Sequence, residues 1–102
     1  MKLFLRSKQN DIEAQAYFDE QNKTVTVLKG SKVSAEVVTT GTFRGSNSIL
    51  QARSEYVTDR IVTRDVVFNS ASTAANFVTG RSTNGLITWK TEDGITLKQY
   101  LG

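Results

Sequence analysis

The sequence contains neither cysteine nor histidine. The absence of cysteine excludes disulfides, thiolate nucleophiles and cysteine metal sites, and it makes the cytoplasm the expected location. The absence of histidine removes the commonest general base and the commonest metal ligand. Only oxygen atoms remain as metal ligands, and the acidic residues are not grouped at a known metal-binding spacing. We therefore expect neither a metal nor a cofactor.

Proline is also absent, and so is any long apolar run. The apolar stretch at residues 3–5 is too short for a signal peptide or a membrane span, so we expect no membrane association. The 102 residues, of which 38% are hydrophobic and 23% charged, have the composition of one globular domain. Thirteen Lys and Arg against ten Asp and Glu give a net charge of +3, which permits contact with nucleic acid but is weak evidence for it.

The sequence offers no workable catalytic pair. Glu92 and Asp93 are adjacent in a predicted turn, where we expect them to be exposed. Ser–Lys chemistry requires a buried lysine with a depressed pKa, whereas the "KGSK" segment at residues 29–32 is typical of a hairpin end. The "GTFRG" segment lacks both the spacing and the Lys-Ser/Thr pair of a phosphate-binding loop. We therefore predict that this chain is not an enzyme.

Alternating apolar and polar residues predict half-buried antiparallel strands in the N-terminal part. The clearest case is residues 12–19, where Ala14, Ala16 and Phe18 share one face. Strands are predicted at 2–7, 12–19, 24–30, 65–68 and 86–90, with a further extended segment at 30–38 and a loop at 39–48.

Apolar residues at helical spacing, from Ile49 through Tyr56 to Ile61, predict a helix over about 48–58. A last short helix is predicted from Leu97, because Thr96 and Gln99 have the spacing of a capping box. The chain stops soon after this helix begins, so we expect the domain to end, or to be cut from, a longer polypeptide.

The segment "NSASTAANFVTGRSTNGLITWK", residues 69–90, predicts another helix at its start. Ser70 is a natural N-cap, and Gly80 stands where a left-handed residue would end the helix. The apolar face between them is made mainly of alanine, including Ala74 and Ala75, so the helix backbone can approach its neighbour closely.

After this helix, Asn84 and Gly85 predict a turn with positive φ, and residues 86–90 predict a strand. Trp89 is expected to be buried beside Ile87, with its indole N–H bonded to a partner. Gly94 is expected to serve a second turn. Together the elements predict an α+β fold: one small domain, 1–102, with an antiparallel sheet from the N-terminal strands and the two later ones, and two or three short helices on one face.

Residues 67–97, "VFNSASTAANFVTGRSTNGLITWKTEDGITL", resemble a small uncharacterised bacterial domain often found C-terminal to GIY-YIG nuclease domains. The matching positions are Ser70, Ala74, Ala75, Gly80, Arg81, Ser82, Asn84, Gly85, Trp89, Lys90, Gly94, Thr96 and Leu97. Two positions depart from the pattern: Ala71 stands where proline is frequent, and Leu86 where an aromatic residue is common. If that aromatic residue were a stacking platform, this chain would lack it, which counts against a direct base-stacking role here.

The resemblance implies an accessory module and no catalytic residues. The GIY and YIG motifs are absent, so nuclease activity is not implied. The resemblance implies a nuclease-type domain, in the same or a partner polypeptide, as one partner. A fainter similarity exists to domains associated with restriction enzymes and adenine methylases, which have been proposed to contact DNA, and DNA or RNA is therefore the other expected partner. The alternative function is a protein-interaction or purely structural domain.

Four polar residues are the candidate contacts for such a ligand: Arg81, Ser82, Asn84 and Lys90. Turn geometry does not require an arginine at position 81. Arg81 could bind a phosphate or a base edge, or it could cap the last carbonyls of the preceding helix, where a cation is favoured.

Overall fold

The computed structural model describes residues 1–39 and 45–102. Its strands are β1 (Lys2–Ser7), β2 (Ile12–Asp19), β3 (Thr24–Val27), β4 (Val57–Thr58), β5 (Ile61–Val62) and β6 (Val66–Phe68). Its helices are α1 (Ser46–Tyr56), α2 (Ala71–Thr79), α3 (Gly85–Thr88) and α4 (Leu97–Leu101). Strands β1, β2, β3 and β6 form an antiparallel sheet in that order, and β4 pairs with β5. The predicted α+β class and antiparallel sheet are confirmed.

The sheet has one buried face and one open face. In β2, Ala14, Ala16 and Phe18 are buried, as the alternation predicts, whereas Tyr17 is 53% exposed. The open face is the side of the sheet opposite the core, and its members alternate with the buried residues along each strand. It carries Lys2, Phe4, Arg6, Glu13, Gln15, Tyr17, Asp19, Thr24, Thr26 and Val67.

Helix α2 packs on the buried face through its small residues. The side chain of Ser70 accepts a hydrogen bond from the Thr73 N–H at 3.0 Å, which caps the first turn. Ala74 and Ala75 are fully buried, and Gly80 ends the helix in the left-handed region with φ 73°. The predicted N-cap, alanine face and glycine terminator are therefore confirmed.

The alanine face of α2 leaves no room for larger side chains. Ala74→Leu or Ala75→Leu is expected to lower the free energy of unfolding by about 1–3 kcal/mol through overpacking. Thermal melting checks this, with the exposed Gln51→Leu of α1 as control. Wild-type melting temperatures for both alanine variants would show that the contact is not tight.

The predicted strand at 86–90 is wrong. Asn84 has φ −88° and caps a helical turn, its side chain accepting from the Leu86 N–H at 3.0 Å, so the predicted turn with positive φ does not form. Gly85 begins that turn as α3. Ile87 is 52% exposed and does not share the burial of Trp89, because residues two apart lie about 200° apart around a helical turn.

The helix predicted at 48–58 lies at Ser46–Tyr56, and the apolar position Ile61 that follows it belongs to the β4–β5 hairpin. Asp59 and Arg60 form its turn with φ values of 50° and 70°, the pair of left-handed residues that a two-residue hairpin needs. The extended segment at 30–38 contributes single bridges at Lys32 to Glu13 and Ile61 instead of a strand. Of the loop predicted at 39–48, residues 40–44 lie outside the described residues, and the prediction is wrong for residues 46–48, which belong to α1.

The C-terminal signals are confirmed. Thr96 accepts from the Gln99 N–H and Gln99 accepts from the Thr96 N–H, so the capping box of α4 is complete. Gly94 has φ 84°, which suits the turn before it. In the described parts of the chain, each helix is too short or too polar to cross a membrane.

Candidate functional site

Helix α3 is held on the start of α2 by two contacts. The Gly85 N–H donates to the Ser72 hydroxyl at 3.0 Å, and the indole N–H of Trp89 donates to the Ala71 carbonyl at 3.0 Å. Trp89 is fully buried, which confirms its predicted core position and its bonded N–H. These residues of the 69–90 segment therefore form the framework that places the next residue, Lys90.

Lys90 pairs with the free edge of β1. Its N–H donates to the Phe4 carbonyl at 2.9 Å, and the Phe4 N–H donates to the Lys90 carbonyl at 2.7 Å. Directly opposite residues of an antiparallel pair project on the same side. While Trp89 enters the core, Lys90 therefore extends the open face of the sheet beside Phe4.

An open groove of about 750 Å³ runs along this edge, between β1, the segment after α2, and α3. Its cations are Arg6, Arg81 and Lys90, and its carboxylate is Glu92. The rest of its lining is Phe4, Leu5, Ser7, Asn10, Ile12, Thr79, Ile87, Thr88, Thr91 and Gly94. Three positive side chains against one negative one make this basic groove suited to an anionic ligand.

Phe4 is the aromatic residue of the basic groove and has cations on both sides along β1. The Arg6 guanidinium carbon lies 4.8 Å from the centre of its ring, and the Lys2 ammonium lies 5.9 Å from it. Arg6 also lies 3.5 Å from the Glu13 carboxylate, but both side chains are exposed, so this ion pair holds Arg6 only weakly. The guanidinium can therefore turn to an incoming anion.

The structure brings Arg81 and Lys90 into one groove but not the other two candidates. Asn84 is occupied as the N-cap of α3, and Ser82 is exposed outside the lining. Sequence reasoning missed Arg6 and Phe4, which join the groove from the first strand. The signal for them was the alternation of residues 2–7, which places Phe4 and Arg6 together on the polar side of β1.

The capping role that Arg81 could have taken is performed by Arg53. Its guanidinium donates to the Phe77 carbonyl at 2.9 Å and the Val78 carbonyl at 3.0 Å, at the end of α2. It also donates to the carbonyl and hydroxyl of Ser34, both at 2.7 Å. Burial lowers the pKa of Arg53 to about 10, which leaves it charged at neutral pH.

The hydrogen bonds of Arg81 within the described residues are made by its backbone, to the hydroxyl of Thr79. Its exposed side chain is therefore not tied to the end of α2 and stays available to the basic groove.

One buried hydroxyl in the groove wall is unsatisfied. Thr91 is 7% exposed, and its Oγ1 lacks a hydrogen-bond partner among the residues that the structure describes. Buried polar groups are nearly always paired in folded proteins, so an unpaired one at a groove is a position where a ligand or solvent is expected. Across residues 1–39 and 45–102, the acidic side chains form no cluster of three that could hold a metal ion.

Comparison with known proteins places the chain in a family without assigning it an activity. Residues 4–101 match the family described as a domain of unknown function, DUF4357. Searches among curated proteins and among solved structures returned no match. Because the match covers nearly the whole chain of 102 residues, the chain belongs to the DUF4357 family.

Proposed function

We propose that this domain is a non-catalytic accessory module that contacts nucleic acid through the basic groove. The observation that carries the proposal is that Arg6, Arg81, Lys90 and Phe4 line one groove, with Arg6 over the Phe4 ring and Lys90 opposite Phe4. Cations neutralise phosphates, and an aromatic ring beside them offers a surface for a base or sugar. The groove supplies both from three separate parts of the chain.

The resemblance to domains that accompany GIY-YIG nucleases supplies the context of the proposal. In that setting the module would position a nuclease-type domain, in the same or a partner polypeptide, on its nucleic acid. In this proposal the module adds no chemistry of its own. The module's contribution is then affinity and placement.

Titration of labelled oligonucleotides against salt tests this function. With three groove cations on three phosphates, log affinity is expected to fall with log salt at a slope of about −2 to −3. Arg81→Ala or Lys90→Ala should weaken binding and flatten that slope by about one. Because both side chains are exposed, the melting temperature should stay within a few degrees of wild type.

Lys29→Ala is the matched control, since it removes an equal charge from an exposed residue outside the groove. Equal weakening by Lys29→Ala and Lys90→Ala would show that net charge, and not the groove, is responsible. If no oligonucleotide binds at about 50 mM salt, the alternative is favoured, in which exposed Ile87 and the groove cations receive a protein segment.

A further inference from the structure

We propose that the nucleic acid bound by this domain is single-stranded, with its bases stacked on the open face of the sheet around Tyr17. This inference rests on the proposed function and extends the ligand from the basic groove onto the adjoining face. The basic groove holds phosphates at the β1 edge, and the open face continues from it across β2, β3 and β6.

A row of paired residues crosses the whole sheet on this face. Lys2 is opposite Tyr17, Tyr17 is opposite Thr26, and Thr26 is opposite Val67. Tyr17 is 53% exposed and Val67 63%. A cation, an aromatic ring, a hydroxyl and an aliphatic side chain therefore lie side by side. A large exposed ring in the middle of a sheet is a surface on which an unpaired base can stack.

The neighbouring row joins Tyr17 to the groove. Lys90 is opposite Phe4, and Phe4 is opposite Gln15 of β2. Gln15 precedes Tyr17 by two residues on the same strand and the same face. Phe4 and Tyr17 are therefore diagonal neighbours, about 7–8 Å apart between Cα atoms. That separation suits two consecutive nucleotides of one extended strand. Arg6, two residues along β1 from Phe4, and Lys90, opposite Phe4, would then hold the phosphates of the same strand.

The charges of the open face agree with such a strand. Lys2, Arg6 and Lys90 lie around Phe4, so three cations stand against the two carboxylates of the face. Asp19 accepts hydrogen bonds from Gln21 and Asn22, and Glu13 is paired only weakly with Arg6, so the cations outnumber the carboxylates beside Phe4. The exposed Tyr17 ring also favours a single strand over a duplex, because paired bases are stacked on one another and cannot lie on an aromatic ring.

The experiment compares oligodeoxythymidylate, oligouridylate and a DNA duplex, each of about twelve nucleotides or base pairs, by fluorescence anisotropy at low salt. Wild type should bind the single strands more tightly than the duplex. Tyr17→Ala should weaken single-strand binding about 5- to 150-fold, and Tyr17→Phe should retain it because the ring remains. Tyr17 lies outside the groove lining, so its loss leaves the groove cations in place. Leu50→Ala, which removes an exposed apolar side chain from α1, is the control for lost surface area.

Duplex binding as tight as single-strand binding, or unchanged single-strand affinity in Tyr17→Ala, would overturn the inference. If Arg81→Ala still weakens binding in that case, the proposed function stands without it. Absence of binding to all three oligonucleotides overturns both. The DNA and RNA arms decide which sugar the domain prefers, and tight binding of either single strand supports the inference.

Discussion

Arg53→Met is expected to lower the free energy of unfolding by about 2–4 kcal/mol. Methionine keeps the apolar stem but removes a guanidinium that donates four hydrogen bonds. Two of the acceptors are carbonyls at the end of α2, and two are atoms of Ser34. Acceptors left without partners away from water cost more than the bonds themselves contribute. Chemical denaturation monitored by circular dichroism measures the loss.

The control for Arg53→Met is Arg64→Met. Arg64 stacks on Tyr56 with 4.7 Å between the guanidinium carbon and the ring centre, and an exposed contact of this kind contributes roughly 0.5–1 kcal/mol. Arg53→Lys should recover only part of the stability, because an ammonium cannot reproduce the planar fork of donors. Equal losses in Arg53→Met and Arg64→Met would contradict the capping role.

Gly85→Ala is expected to lower the free energy of unfolding by about 3 kcal/mol or more, the upper end of overpacking costs. A Cβ atom at this position would lie 2.2 Å from the carbonyl carbon and oxygen of Ala71 and 2.4 Å from the Ser72 nitrogen. These are backbone atoms of the first turn of α2, so the clash is relieved only by moving one helix away from the other. Trp89, bonded to the same Ala71 carbonyl, should then show red-shifted fluorescence.

A loss of stability in Gly85→Ala would identify the close contact between α3 and α2 as its cause. In a helix without such a neighbour, glycine to alanine is stabilising by about 1 kcal/mol. Gly94→Ala is a second reference, since Gly94 has φ 84° and open space around the added Cβ, so that only the left-handed penalty of about 1–2 kcal/mol applies. A Gly85→Ala variant as stable as wild type would show that α3 does not approach α2 as closely as described.

These variants separate the framework from the site. Arg53 and Gly85 hold α2, α3 and the Ser34 segment together, and neither lines the basic groove. Arg81 and Lys90 line the groove with exposed side chains. Changes in the first pair are expected to appear as lost stability, and changes in the second pair as lost affinity.

Much of the fold could be predicted from the sequence because its signals are local. Alternation identified β1 and β2 along their full lengths, and it identified the buried face of β2. Three further signals depend on residues only a few positions apart in the chain. They are the N-cap at Ser70, the left-handed Gly80 that ends α2, and the capping box of Thr96 and Gln99. A side chain that bonds its own backbone neighbours can be recognised without knowing the rest of the molecule.

The tertiary structure decided the conformation of the chain that follows α2. Residues 86–90 have strand-forming side chains, yet Asn84 caps a helical turn and Gly85 lets that turn lie against α2. A glycine that is needed for close approach looks, in sequence, the same as one that is needed for a turn. Likewise Arg53, which lies within the helix predicted over about 48–58, was not recognisable as the cap of a helix that begins 18 residues later.

The sequence by itself determined the antiparallel sheet, the helix caps, the buried tryptophan and the absence of the chemistry that histidine and cysteine would have allowed. It singled out Arg81 and Lys90 but could not relate them to Phe4 and Arg6, more than 70 residues away. The pairing of Lys90 with the edge of β1 brings Lys90 beside Phe4 and Arg6, and Arg81 joins them from the segment after α2. Hydrogen bonds between residues close in sequence form the helices and their caps. A groove forms only when distant segments pack together, and that packing depends on close approaches such as the contact of Gly85 with α2.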